Sequence, residues 1–187
     1  MEEAKKFIIR KAEVSDGPAI LELLTKNLYK NLSPEDRGGG FVIFEPTAQE
    51  LEKIINDVGI ILSFSGNELE GYLMVMSKKL ALTFAFEKEL LTYAEQLKYQ
   101  GKFISEYNYI LLAQICIAKE ARGKGTLKQL HQAMRIMLKD KGYEIGIGEI
   151  ADTNSKSLGV HGFMIEVGTY TDSSRIKWHV VIADPKI

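Results

Sequence analysis

Cysteine occurs once in the 187 residues, at Cys116, so the chain cannot close a disulfide on itself. A lone thiol fits a reducing compartment, and a cytoplasmic setting is the expectation. Proline is scarce, with four residues, and no Pro-, Gly- or Ser-rich tract marks a linker between domains. Neither sign of charge predominates, since 24 Lys and Arg stand against 25 Asp and Glu. Without a broad basic field, neither a nucleic acid nor an anionic membrane is expected as a partner. Apolar runs such as residues 58–64 fall far short of the roughly 20 residues that a membrane helix needs. The opening Met1-Glu2-Glu3-Ala4-Lys5-Lys6 mixes charges, unlike the apolar centre of a secretion signal. Serine elbows of the Gly-x-Ser-x-Gly type are missing, and so is any His pair at zinc-site spacing, so no metal is expected.

What is present reads as a folded α/β domain. Hydrophobic residues make up 45% and charged residues 26%, which excludes disorder. The length suits one domain at roughly 150 residues per domain, burying around 70% of the surface its unfolded chain exposes. Residues 7–10 have strand character, and Asp16 is placed to cap a helix carrying Ile20, Leu23, Leu24 and Leu28. Residues 31–45 break the pattern with Pro34, Gly38, Gly39 and Gly40, between which and the next helix lie Phe41 and Phe44. Thr47 and Glu50 form a capping box for that next helix. Residues 59–64 and 71–77 predict a strand pair turning at Gly66-Asn67, and residues 86–99 a helix stopped by Gly101. The most apolar strand spans residues 107–118, its near-continuous apolarity predicting burial on both faces. A helix over 125–141, a strand over 145–151, a helix from Asn154 and a strand pair at 169–171 and 176–183 complete a mixed α/β order.

The most informative segment joins the apolar strand to the helix that follows: Ile115, Cys116, Ile117, then Arg122-Gly123-Lys124-Gly125-Thr126-Leu127. Glycines let successive backbone N–H groups converge, and the helix start adds partial positive charge. Arg122 and Lys124 stand beside it with full charges, so the turn reads as an anion site suited to a pyrophosphate, the plain alternative being an ordinary βα turn with solvated Arg and Lys. It is neither a Walker A loop nor a dinucleotide fingerprint.

This segment resembles the acyl-CoA signature of the GNAT superfamily of N-acyltransferases, Gln/Arg-x-x-Gly-x-Gly/Ala. Arg122 takes the first place and Gly125 the fourth, whereas Leu127 stands in the sixth, where the family carries Gly or Ala. Leu127 either shifts the pyrophosphate or turns toward the core. The resemblance implies an α/β (α+β) fold with a mixed sheet of about seven strands, splayed between the central ones. About four helices would flank it, plus an inserted helix at residues 78–107, all within one domain over 1–187. It implies acetyl-CoA as cosubstrate. Backbone groups of Ile115, Cys116 and Ile117 would pair with pantetheine, and the amides of Gly123, Lys124, Gly125, Thr126 and Leu127 would hold the pyrophosphate beside Arg122.

A second stretch, Glu149 to Ser157, is similar to the family's later motif, a strand Glu followed five places on by Asn154. Strand alternation puts Ile145, Ile147, Glu149 and Ala151 on one face. Glu149 then ends an apolar face, where partial desolvation raises its pKa toward that of a usable base. The plain alternative is a strand-end carboxylate bonded to solvent or a backbone amide. Gly146 and Gly148 clear the opposite face for close packing. By the resemblance, Glu149 is the general base, Asn154 and Ser157 contact the cofactor, and His161 protonates the leaving thiolate, with Tyr170 as the fallback acid. A capping Asn154 and a structural His161 are the competing readings. His131 and His179 read as structural, and Cys116 as a buried small hydrophobe.

The implied activity is transfer of an acetyl group from acetyl-CoA to a primary amine of a small molecule or peptide, by direct attack with no covalent enzyme intermediate. Backbone N–H groups near Ile117 would take the oxyanion. A noncatalytic acyl-CoA-binding regulatory module and a site for another phosphorylated ligand are the alternatives. The acceptor side is expected at residues 31–45, 78–107 and 171–175, with the insertion serving as a lid or as the contact of a homodimer.

Overall fold

The computed structural model describes residues 7–186, so the charged N-terminal stretch 1–6 lies outside the described residues. In chain order the elements are β1 (Phe7–Lys11), α1 (Gly17–Asn27), α2 (Pro34–Arg37), α3 (Ala48–Asn56), β2 (Gly59–Ser65), β3 (Glu68–Ser77), α4 (Lys78–Ala81), α5 (Ala85–Ala94), β4 (Lys98–Tyr99), β5 (Lys102–Phe103), β6 (Tyr109–Ile117), α6 (Thr126–Asp140), β7 (Ile145–Ala151), α7 (Ser155–Val160), β8 (Ile165–Thr171) and β9 (Lys177–Ala183). Seven strands form one mixed sheet in the order β1-β2-β3-β6-β7-β9-β8, and β4 with β5 makes a small separate hairpin. Among the described residues, β6 and β7 are the one pair of sheet neighbours that run parallel.

Period-two alternation sends the two faces of the sheet into separate cores. Tyr72, Met74 and Met76 of β3 pack with Ile20 and Leu24 of α1, Leu51 and Ile54 of α3 and Leu90 of α5. Leu73 and Val75 pack on the other face with Leu130, Met134 and Leu138 of α6. Ile110 and Leu111 of β6 divide between the faces in the same way, as its continuous apolarity predicts. Among the described residues no helix is long and apolar enough to cross a membrane.

The functional feature is an opening in this sheet. β6 and β7 pair only through Tyr109–Ile145, Ile110–Gly146 and Leu111–Ile147. Beyond them β6 stays with β3 to Ile117, while β7 stays with β9 to Ala151. Val75 pairs Leu112 and Met74 pairs Gln114, leaving Ala113 as an extra residue. Such a bulge bends and twists its strand, here at the point where β6 leaves β7. Leu112 fills the fork. A Cβ on Gly146 would lie 3.1 Å from the Leu112 side chain, and one on Gly148 3.3 Å from the Leu112 carbonyl oxygen.

Local signals held to different degrees. Thr47 Oγ1 accepts from the Glu50 amide and Glu50 accepts from the Thr47 amide, so the capping box is real. Asp16 sits at the cap position of α1, but its carboxylate grips Arg10 at 2.7 and 2.6 Å instead of capping. The helix expected over 86–99 ends at Ala94, and its tail forms the β4–β5 hairpin, whose turn carries positive φ at Gln100 and Gly101. β8 begins at Ile165, four residues before the strand read from the sequence.

Candidate functional site

The turn after β6 leaves backbone amides open. Gly123 and Gly125 adopt φ of +74° and +96°, a region that side-chain-bearing residues avoid. Gly125 is the N-cap of α6 and supplies no side-chain cap, so the first helical amides keep their donors open. A cavity of about 350 Å³ lies beside the turn. Ile115, Cys116, Ile117, Arg122, Gly123, Leu127, Asn154 and Ser157 line it, as expected, and Lys156 joins them. Lys124, Gly125 and Thr126 do not. Lys124 faces a separate groove, and buried Thr126 donates its hydroxyl to Glu70 at 3.2 Å. Gly125 and Thr126 can serve the cavity through their backbone only, whereas the Lys124 amide already donates to the Ala121 carbonyl at 3.3 Å. Leu127 faces the cavity and not the core.

Arg122 does not offer its charge freely. Its guanidinium donates to the Ile117 carbonyl at 3.2 Å, the Gly39 carbonyl at 2.8 Å and Asn27 Oδ1 at 2.6 Å. Asn154 is similarly engaged: Oδ1 caps α7 at the Ser157 amide, and Nδ2 donates to the Phe41 carbonyl at 3.0 Å. Both side chains thus fasten residues 38–44 across the mouth of the opening. Cys116 turns its thiol to the core near the Leu23 carbonyl, where burial pushes its pKa up to about 12. Only its backbone can act.

A second, inner cavity of about 110 Å³ occupies the opening itself. It shares Phe41, Val42, Ile115, Asn154, Ser157 and His161 with the outer one. Phe44, Phe86, Glu149 and Trp178 line one end, and Leu112, His131 and Met164 the other. The 31–45 loop supplies the first ring, the insertion the second, and Asp172 of the β8–β9 turn accepts from Trp178 Nε1 at 2.9 Å. The three segments expected at the acceptor side therefore converge. The insertion also packs on its own chain: Phe86 meets Trp178 edge-on, Tyr93 stacks on Tyr170 at 5.0 Å, and Glu89 accepts from Ser173.

Glu149 is a strongly perturbed group facing the inner cavity. Burial pushes its pKa up to about 8, reinforced by Asp172 and Glu89 and opposed by the hydrogen bond from Tyr170. That hydroxyl donates to Oε2 at 2.6 Å, while Oε1 is enclosed with no partner. Burial and the neighbouring Glu149 raise the Tyr170 pKa far above its ordinary value. With its proton turned to Glu149, the Tyr170 hydroxyl is already committed as a donor.

His161 caps the end of α7 and reaches both cavities. Its Nδ1 lies 2.9 Å from the Ser157 carbonyl, which only accepts. The neutral ring therefore carries its proton on Nδ1 and a lone pair on Nε2. Burial lowers its pKa, which further disfavours the imidazolium that an acid role requires. His131, one helical turn beyond Leu127, was read as structural but lines the inner cavity. Both its nitrogens are enclosed without partners, and burial lowers its pKa to about 3. Projecting Leu127 and His131 onto one helix face would have found it. Lys156 lay within the Glu149–Ser157 stretch itself. His179, which bridges Asp152 and Glu166, is structural as expected.

A mixed seven-strand sheet, forked at the parallel β6–β7 pair and carrying a glycine turn at the end of one prong, is the fold of the GNAT acyltransferases. No protein-family model matches the sequence, and no curated protein matches it either. Solved structures do. The polyamine N-acetyltransferase of Drosophila melanogaster superposes with a TM-score of 0.66 at 12% identity, over 96% of this chain and 100% of the other. An N-acetyltransferase from Staphylococcus aureus Mu50 gives 0.62 at 18% identity, over 96% and 99%. The NatC complex bound to Gag peptide and CoA gives 0.61 at 10% identity, over 96% and 98%.

Proposed function

We propose that the chain is an acetyl-CoA-dependent N-acetyltransferase acting on a primary amine of a small molecule or peptide. One observation carries this reading: the forked sheet brings an anion-cradling cleft and the buried, partly unsatisfied Glu149 to two ends of one opening. CoA-type ligands fit the outer cleft by its shape and donors. The amides of Gly123, Gly125 and the first turn of α6 suit a pyrophosphate, with Lys156 adding a cation. The β7-facing edge of β6 over residues 112–117, which has no strand partner, suits the amide-bearing arm. When bound, acetyl-CoA supplies the acyl group already activated as a thioester.

The chain's own residues supply positioning and proton handling. Glu149 takes a proton from the acceptor nitrogen, and Tyr170 steadies the resulting change of charge through Oε2. Amides on the open edge of β6 are the donors for negative charge developing on the carbonyl oxygen. No dedicated acid is needed, because a thiol of ordinary acidity (pKa about 8.5) is partly ionised where Glu149 works. Phe41, Phe44 and Trp178 keep bulk water from the reacting atoms.

Thermal-shift titrations with acetyl-CoA, CoA and ATP, followed by a thiol-release assay with an amine panel, test this. A ligand at 100 times its Kd adds about 2.7 kcal/mol, or roughly 5–11 °C for a domain of this size. Shifts with both CoA species but not ATP are expected. No shift with either CoA species overturns the reading.

A further inference from the structure

The extra residue in β6 re-aims one polar side chain. Tyr109 and Leu111 of β6 pack on the α1 face of the sheet, and Ile110 and Leu112 on the α6 face. Strict alternation would send Gln114 after them to the α6 face. Ala113 has no partner on β3, so the count slips by one. Gln114 then stands opposite Met74, on the α1 face with Tyr72 and Cys116. Ile145 and Ile147 of β7 enter the same core, and Glu149 continues their alternation. Gln114 and Glu149 therefore reach one face from opposite prongs of the fork, and both line the inner cavity. Bulges beside sites commonly turn a side chain in this way.

The amide of Gln114 is held in one orientation. The residue is buried, and its Nε2 donates to the Tyr72 hydroxyl at 2.7 Å. Fully buried Tyr72 interacts in turn with the Cys116 sulfur, whose thiol points at the Leu23 carbonyl at 3.9 Å. A carbonyl only accepts, so the donors run one way, from Gln114 through Tyr72 and Cys116 to Leu23. That direction leaves Oε1 as the free atom of Gln114, and among the described residues no donor reaches it. Glu149 likewise keeps one carboxylate oxygen without a partner. Two acceptors that lack donors, on the two prongs around one cavity, suit a ligand atom carrying two hydrogens.

We propose that Gln114 selects a primary amine by accepting the second hydrogen of its reacting nitrogen, while Glu149 takes the first. This rests on the acetyltransferase reading. The nitrogen lone pair forms the new C–N bond, the C–S bonding pair leaves on sulfur, and one N–H proton passes to Glu149. The other N–H donates to Gln114 Oε1 and stays on the nitrogen of the product amide. With both hydrogens held, the direction of the lone pair is fixed. A secondary amine has no second hydrogen to give. Its extra carbon would face Gln114 Oε1 and leave that acceptor buried and unpaired.

The test compares the most active primary amine of a panel with its own N-methyl derivative, by thiol release, in the wild type and in Gln114→Met. The wild type should favour the primary amine about tenfold or more in kcat/KM. Gln114→Met keeps the length of the side chain and lacks the oxygen, so it should reduce that ratio about fivefold or more. The thermal shift with CoA should be the same in both proteins. An unchanged ratio overturns the assignment. If Gln114→Met does not fold, Tyr72→Phe takes its place, because it keeps the shape of the core and frees the amide to turn. The ratio should then fall about threefold, and an unchanged ratio again overturns the assignment. If no amine releases thiol although acetyl-CoA binds, the acetyltransferase reading fails. Propylamine and N-methylpropylamine then decide the site separately by thermal shift. A larger shift with propylamine that disappears in the variant supports the site, and any other pattern overturns it.

Discussion

The Tyr170 hydroxyl donates to Oε2 of Glu149 at 2.6 Å, across the gap between the β7 and β8 strands that flank β9. The bond favours the carboxylate, while burial and the carboxylates of Asp172 and Glu89 favour the protonated form. Burial prevails, which places Glu149 at about 8 and, with Glu149 as the proposed base, gives the proposed reaction a pH dependence of defined direction. As the base must be ionised to act, activity should rise with pH through about 8 and level off above it.

Tyr170→Phe removes the one contact that holds this value down. The midpoint of the pH–rate curve should move up by about one unit, and activity at neutral pH should fall roughly tenfold. Kd for CoA should stay the same. A pH–rate profile with an unmoved midpoint would show that Tyr170 does not position the base.

Glu149→Gln should lower kcat by about 10²–10⁴ with little effect on CoA binding, the range for loss of a general base. Its effect on stability also carries a sign. The folded-state pKa lies above the ordinary 4.5, so the native form binds the extra proton between those values. Wild-type stability therefore falls as pH rises from about 4.5 to about 8. The Gln variant lacks that loss, so its Tm advantage should be larger near pH 9 than near pH 5. Melting curves at the two pH values measure it.

Leu127→Trp should block the outer cavity, weakening acetyl-CoA binding at least about tenfold, because the side chain lines the cavity at a half-exposed position. Folding should change by less than about 1 kcal/mol. Gly125 is a poorer place for a blocking group, since its φ of +96° strains any side chain and its Cβ would point at Phe7. Calorimetric titration with CoA distinguishes a blocked cleft from an open one.

Gly148→Ala should cost more than Gly146→Ala. The new methyl at 148 meets backbone oxygen of Leu112 at 3.3 Å, whereas at 146 it meets a side chain that can rotate. Losses of about 1–3 kcal/mol are expected at 148, read from denaturant midpoints. Equal costs would mean that Leu112 does not wedge the fork.

Much of this was legible in the residues because it depends on short-range rules. The Thr47–Glu50 box, the Gly66-Asn67 turn, the α6 stripe ending at Gly142 and the glycine turn at 122–127 are each set by spacings of a few residues. The α5 end was misread because the apolar period ran on through Leu97, while the positive φ available at Gln100 and Gly101 let the chain turn back as a hairpin. Tyr170, read as a spare acid, became the partner of Glu149 because β9 lies between their strands and presents both residues on one face.

By itself, the sequence determined the alternation that buries β3 and β6 on both faces, the glycine turn after β6, and the placing of Glu149 at the end of an apolar strand face. Those are properties of backbone periodicity and of glycine's freedom, and they travel with the local residues. Only the tertiary structure decided where the side chains of Arg122 and Asn154 go, which nitrogen of His161 holds its proton, and that His131 and Trp178 reach the same opening. The reason is physical. Hydrogen-bond partners and desolvation come from residues as far apart in the chain as Asn27 and Arg122 or Glu89 and Ser173, and no local spacing records which of them will meet.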